Sequence, residues 1–204
     1  MPVNPIIDHP RLVVGYHGCD RTTADRVLRG GALKPSQNPW DWLGHGIYFW
    51  EQSIERAWEF AHEQQQRGGV NKPAVIGAYL HLGRCFDLTD RWATKELGAW
   101  HLRCEAVARA AGTVLPVNRA AQPGDHDLLL RNLDCAVLNF AMSSADRREG
   151  GTHFQTVRGV FVEGDPAFPG SRIYGKTHVQ VAVRDPSVVL GYFLPTYVPA
   201  WSHT

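Results

Sequence analysis

Four cysteines in 204 residues, with no CxxC pair and no metal-like spacing to histidine, are too few and too scattered for a disulfide framework or a zinc knuckle. Charge of one sign is missing as well. Lys and Arg number 21 against 20 Asp and Glu, a formal net charge of +1. A basic nucleic-acid coat and an acidic tail are both excluded, so any charged partner must be met by a local patch. No apolar run approaches the ~18 residues of a membrane span, and Met1 to Pro10 holds Asp8 and prolines in place of an apolar leader. Ten histidines form neither an HExxH nor a His-x-His pair, which removes the common metallohydrolase signatures. These absences point to a protein that folds in the cytoplasm, without a membrane partner; delivery as an effector by a route that needs no signal stays open.

What is present is an ordinary globular composition, 44% hydrophobic and 20% charged. A chain of this length buries roughly 70% of its extended surface and needs no staples. One domain over residues 1–204 is expected, since no linker, repeat or low-complexity tract interrupts it. Leu12 to Gly18 reads as a short buried strand. Thr22 or Thr23 can cap a helix that ends at Gly30-Gly31. Lys34 to Gly44 reads as a loop and Gly46 to Trp50 as a second strand. Ser53 opens a helix whose Ile54, Ala57, Trp58 and Ala61 share a face. Ala74 to Leu82 alternates as a strand, Asp87 to Asp90 is a turn, and Trp92 to Ala111 and Leu128 to Met142 are helical. Strands then follow at Val157 to Val162, Thr177 to Val183 and Val188 to Phe193. Strands at both ends enclosing helices in the middle favour an α+β fold over a doubly wound parallel sheet.

Two segments carry chemistry. In Tyr16-His17-Gly18, at a strand end, the imidazole can bond a sugar hydroxyl, and the glycine lets a ligand approach backbone N–H and C=O. The same three residues also read as a satisfied core histidine and a turn glycine. In Gly44-His45-Gly46-Ile47-Tyr48-Phe49, two glycines precede an aromatic strand from which Tyr48 can stack on a planar heterocycle. Alone, that segment is equally a buried strand after a glycine turn.

In this order, with Ser53 opening a helix just downstream, the two segments resemble the ADP-ribosyltransferase family, in its diphtheria-toxin and poly-ADP-ribose-polymerase branch. That branch carries a His, a Tyr and a third polar residue, usually Glu. The resemblance covers the first quarter of the chain, with a weaker echo near the carboxyl end. It implies a split β-sandwich of two small, mainly antiparallel sheets with flanking helices and a central NAD cleft. NAD would be the co-substrate, without a metal. The acceptor would be a protein or a nucleic acid, and a toxin or defence effector of this kind would have an antitoxin or immunity protein. His17 would bond a ribose hydroxyl on the adenosine side, Gly18 the nicotinamide amide, and Tyr48 would stack on the nicotinamide ring. Tyr16, Gly46, Phe49 and Ser53 would complete the pocket, and His45 would stand at its mouth or in solvent.

The third position departs from the pattern. Thr177 to Val183 followed by Arg184-Asp185-Pro186-Ser187 and Val188 to Phe193 has the shape of the family's last motif. The motif position falls on or near Gln180, which shares a strand face with His178 and Ala182. A glutamine can hold a hydroxyl and cannot take a proton near neutral pH. Glu163 and Glu51 are the candidates for a replacement carboxylate and His178 for a base, though each also reads as an ordinary surface or hydrogen-bonded residue. Without a carboxylate the chain would be an NAD or ADP-ribose binding module, and with water as acceptor an NAD glycohydrolase. Trp40 and Trp42 read as a lid or as loop anchors. Arg147-Arg148 and the Arg172–Lys176 stretch read as local basic spots, and Cys19 as an unpromising nucleophile.

Overall fold

The structure, a computed structural model, describes residues 11–123, 127–147 and 152–196. Strand β1 (Leu12–Asp20) leads straight into helix α1 (Arg21–Leu28), then β2 (Ile47–Glu51), α2 (Ile54–Gln66) and β3 (Pro73–His81). A short β4 (Cys85–Asp87) precedes the long helices α3 (Arg91–Ala110) and α4 (Asn132–Arg147), and β5 (Thr156–Phe161), β6 (His178–Val183) and β7 (Val189–Phe193) complete the chain.

Helix ends follow local chemistry. Asp20, rather than either threonine, caps α1 by accepting from the Thr22 N–H at 2.9 Å. Its other carboxylate oxygen accepts from the Asn71 and Lys72 N–H groups, tying the cap to the entry of β3. Ser53 caps α2 as expected, its hydroxyl accepting from Arg56 N–H at 3.5 Å. Helix α4 starts at Asn132 instead of Leu128, because Leu130 pairs with Arg119 as an isolated bridge. The sequence reading passes over β4, whose three residues are too few for periodicity to register.

The class is mixed α+β, and the strands join one seven-stranded sheet in the order β4-β5-β6-β2-β1-β3-β7. Two separate sheets were expected; here every strand has a hydrogen-bonded neighbour, and only β4 and β5 run parallel. The pairing is uneven. Strand β1 matches β3 over nine residues from Leu12↔His81 to Asp20↔Pro73, but matches β2 only at Gly15↔Glu51 and Tyr16↔Trp50. Strand β2 is held chiefly by β6, from Ile47↔Val183 to Trp50↔Gln180.

Side chains alternate across the sheet and build a core on each face. One face buries Ile47, Phe49, Ile76, Ala78, Leu80, Val181 and Val183 under α1, which contributes Ala24 and Val27. On the other face, α3 and α4 cover Phe86, Val157, Phe161 and Ala182. Helix α2 covers Trp50 and Val75 on that second face.

Candidate functional site

The site lies where β1 and β2 part. The Val14 carbonyl accepts from Gln52 N–H at 2.9 Å, so the backbone of Val14 faces β2. In an antiparallel ladder alternate residues face the same neighbour, which makes Tyr16 and Gly18 face β2 as well. Tyr16 finds Trp50, but the next rung, Gly18 opposite Tyr48, is not formed. The His17 imidazole takes its place, with Nδ1 2.8 Å from the Tyr48 carbonyl oxygen. A carbonyl only accepts, so Nδ1 carries the proton, and Nε2 of the neutral ring is left as an acceptor. The backbone edge of Gly18 thus faces β2 without a ladder partner on that side, and the residue itself is buried. Its missing side chain has a packing reason: a Cβ there would run into the Ala57 carbonyl of α2.

His17 and Tyr48 meet through the Tyr48 backbone, and their side chains leave on opposite faces. The imidazole packs on Phe49, ring centroids 5.7 Å apart, while Phe49 itself is fully buried. The Tyr48 phenol is pinned by the loop before it, donating to the Gly44 carbonyl at 2.6 Å and accepting from Leu43 N–H at 2.8 Å. Burial, with Asp41 nearby, pushes its pKa well above the ordinary value. It is therefore a neutral ring with a fixed plane. Gly46 lies against β6, where a Cβ would stand 2.9 Å from the Val183 carbonyl oxygen. Tyr16 packs edge-on to Phe193 and belongs to the Trp50 cluster, and Ser53 is occupied as the α2 cap.

The third position is a buried polar chain. His178 and Gln180 are 5% and 7% exposed, on the face that α2 covers, with Gln180 Nε2 3.1 Å from His178 Nε2. Glu163, just after β5, pairs with Arg56 of α2 at 2.9 Å and stands 3.8 Å from His178 Nδ1. Arg56 also contacts Glu59. Burial raises the Glu163 pKa and outweighs the opposing pull of Arg56. Glu51, the other candidate carboxylate, is spent elsewhere: both its oxygens accept from Arg158, at 2.6 and 3.0 Å. Above Gln180's strand neighbour β5, Arg131 lies over the Trp42 and Phe161 rings, 4.2 and 4.9 Å from their centroids. The Trp50 indole N–H, opposite Gln180 in register, is buried with no acceptor among the described residues. Arg56, Arg131 and Trp50 were not singled out from sequence; an arginine on the apolar flank of a helix carries no signal until its partner strand is known.

Both imidazoles are held neutral. Burial lowers the pKa of each, and that of His178 falls from 6.5 to about 4, helped by Arg56 and Arg131. Below pH 6.5 the unfolded chain takes up protons that the folded chain refuses, so stability falls as pH drops toward 4, by up to ~1.4 kcal/mol per pH unit for each histidine. Glu163 acts oppositely just above its ordinary 4.5. Thermal unfolding from pH ~7 to ~5 should therefore show a falling midpoint that His178→Gln flattens. An unchanged slope in that variant would remove His178 from the account.

Of the remaining sequence candidates, Cys19 is buried and its thiol is pushed up to about 11 by burial, which leaves it no nucleophile. Trp42 is a loop anchor, its indole N–H donating to the Leu129 carbonyl at 2.8 Å, while Trp40 and His45 are exposed. Arg172 is exposed and Lys176 reaches Glu63 at 3.8 Å; Arg148 lies outside the described residues. Among the described residues no group of three His, Cys, Asp or Glu is placed to hold a metal ion, and no helix is long and apolar enough to cross a membrane.

No family model matches the chain, and neither does any solved structure. The chain is similar to an uncharacterized protein of Methanocaldococcus jannaschii, 35% identical over 77 residues that make up 36% of each chain. It is also similar to an imidazolonepropionase of Cupriavidus taiwanensis, 27% identical over 133 residues, 63% of this chain and 30% of that protein. It thus spans about a third of the length of the curated relatives it matches.

Proposed function

We propose that this chain is an NAD-dependent ADP-ribosyltransferase that moves ADP-ribose to a macromolecular acceptor, protein or nucleic acid, and releases nicotinamide. The observation that carries this reading is the failed rung between β1 and β2. There Gly18 offers one N–H and one C=O side by side, the complement of a primary carboxamide. His17 Nε2 is an acceptor for a hydroxyl, and the unpartnered Trp50 N–H is a buried donor beside Gln180. The two-rung joint marks the line along which the sheet would divide into the two halves of an ADP-ribosyltransferase sandwich, with the cleft between them.

When bound, the dinucleotide supplies a glycosidic bond whose cleavage develops positive charge on the ribose. The chain's own residues then have three tasks. His17 leaves on the sheet face opposite Tyr48 and Gln180, so these tasks require β1 and β2 to part around the dinucleotide. Gly18 and the flat, neutral Tyr48 then orient the carboxamide and its ring, His17 holds a ribose hydroxyl, and Gln180 holds a second one through its amide oxygen. A glutamine supplies no negative charge to the reacting centre. Glu163 stands 3.8 Å from the neighbouring His178 ring, and its raised pKa suits a base toward the acceptor. The same glutamine supports a second reading, an NAD-binding module or a glycohydrolase with little or no transfer.

Incubation with NAD labelled in its adenosine half, alongside separate fractions of protein, RNA and DNA, tests all three. Transfer puts the label on one fraction and releases nicotinamide. Free ADP-ribose with unlabelled fractions indicates the glycohydrolase, and binding without nicotinamide the module. A calorimetric titration with no heat of binding sinks the proposal. His17→Ala should slow nicotinamide release by roughly 100-fold, the scale of a misplaced reactant; an unchanged rate would remove His17 from the site.

A further inference from the structure

The chain at the third position has a direction. His178 Nδ1 stands 2.7 Å from the Lys176 carbonyl oxygen, which only accepts, so the proton sits on Nδ1. Burial is the largest influence on the ring and favours the neutral form, which Glu59 opposes and the two nearby arginines support. Arg56 of α2 and Arg131 ahead of α4 disfavour a further positive charge. Glu59 and Glu163 are each paired with Arg56, and Glu163 is too far, at 3.8 Å, for a hydrogen bond to the ring. With Nδ1 protonated and the ring neutral, Nε2 is an obligatory acceptor. The only group of Gln180 that can meet an acceptor is its NH2, as the 3.1 Å contact has it. An amide carries its oxygen on the other branch, so fixing the NH2 on His178 fixes the oxygen away from it.

We infer that His178 is a positioning residue for Gln180: the Lys176 carbonyl sets its tautomer, and the ring in turn locks the Gln180 amide so that its oxygen is presented to the substrate as an acceptor. A carboxylate needs no such help, because both its oxygens accept. A glutamine in the same place presents the wrong group half the time unless something breaks the symmetry. His178 breaks it, which explains why a polar side chain is buried two residues before Gln180 on the same face. The inference rests on the transferase reading, in which Gln180 holds a substrate hydroxyl.

The test is a double-mutant cycle read by nicotinamide release at mildly alkaline pH, with kcat and KM separated. His178→Phe keeps the ring's bulk and removes the acceptor. It should lower kcat about fivefold, the scale of one neutral hydrogen bond. His178→Gln restores an acceptor near the position of Nε2 and should recover most of the loss. In a Gln180→Glu background, His178→Phe should cost nothing in kcat, because a carboxylate has no wrong face. An equal loss in both backgrounds would make His178 merely structural and overturn the inference. Nitrogen NMR of the wild-type imidazole is an independent arm: the proton should reside on Nδ1 and the ring should stay neutral down to pH ~5. A proton on Nε2 would overturn the inference without any variant having to fold. If the wild type neither binds NAD nor releases nicotinamide, the transferase reading fails instead. The imidazole spectrum then still decides whether the lock exists.

Discussion

Gly18→Ala is expected to lose at least ~3 kcal/mol of stability, a melting point lower by roughly 6–12 °C for a chain of this size. The obstacle is backbone: an added Cβ would penetrate the Ala57 carbonyl, with the Ala61 N–H close behind at 3.2 Å. No rotamer change relieves such a contact, so α2 must lift from β1. That movement would also pull Ala57 and its neighbours off Trp50 and Val75, the small core beneath α2. Gly98 is the matched control. It lies inside α3 with nothing within 4 Å of its Cβ position, so Gly98→Ala should stabilise by up to ~1 kcal/mol through helix propensity. Thermal unfolding of both variants checks the pair. A Gly18→Ala protein that melts with the wild type would mean that α2 does not sit on β1.

Arg158→Met is the second large effect. On the face opposite Gln180, this arginine joins β5 to β2 and β4: it donates to both oxygens of Glu51, and to Asp87 at 3.2 and 3.3 Å. All three side chains are at most 14% exposed. Removing the cation leaves Asp87 with Arg11 and Thr89, but takes from the largely buried Glu51 the arginine that binds both its oxygens. The loss should be about 3–5 kcal/mol near neutral pH, as for other broken buried pairs. The stranded Glu51 acquires a raised folded-state pKa, so the deficit shrinks as pH falls and the carboxyl takes a proton. Urea unfolding at two pH values measures this. A deficit independent of pH would contradict the charge account. Removing Glu51 together with Arg158 should recover much of the loss.

The order of elements was legible because it rests on local signals. A short buried apolar run ending at glycine located β1, alternation located β3, and the Ile54, Ala57, Trp58, Ala61 spacing located α2. What could not be read were the facts that depend on pairing. Whether Glu51 or Glu163 was free to act was decided by Arg158 and Arg56, two residues 107 positions from their partners. The separation of the His17 and Tyr48 side chains onto opposite faces depends on register, which a two-residue strand contact fixes and no motif records. Asp20 displaced the threonines as the α1 cap because β1 runs into the helix without a loop, so that the last strand residue is also the first cap.

The two-rung joint between β1 and β2 also sets the order in which the chain can fold. Strand β1 can zip onto β3 as soon as both have left the ribosome. The aromatic β2, lying between them in sequence, gains little from β1 and must wait for β6, which is made some 130 residues later. Closing so long a loop is slow. Until it closes, Tyr48-Phe49-Trp50 is a sticky edge without a lid, and the half-made protein is at its most vulnerable to aggregation during that interval.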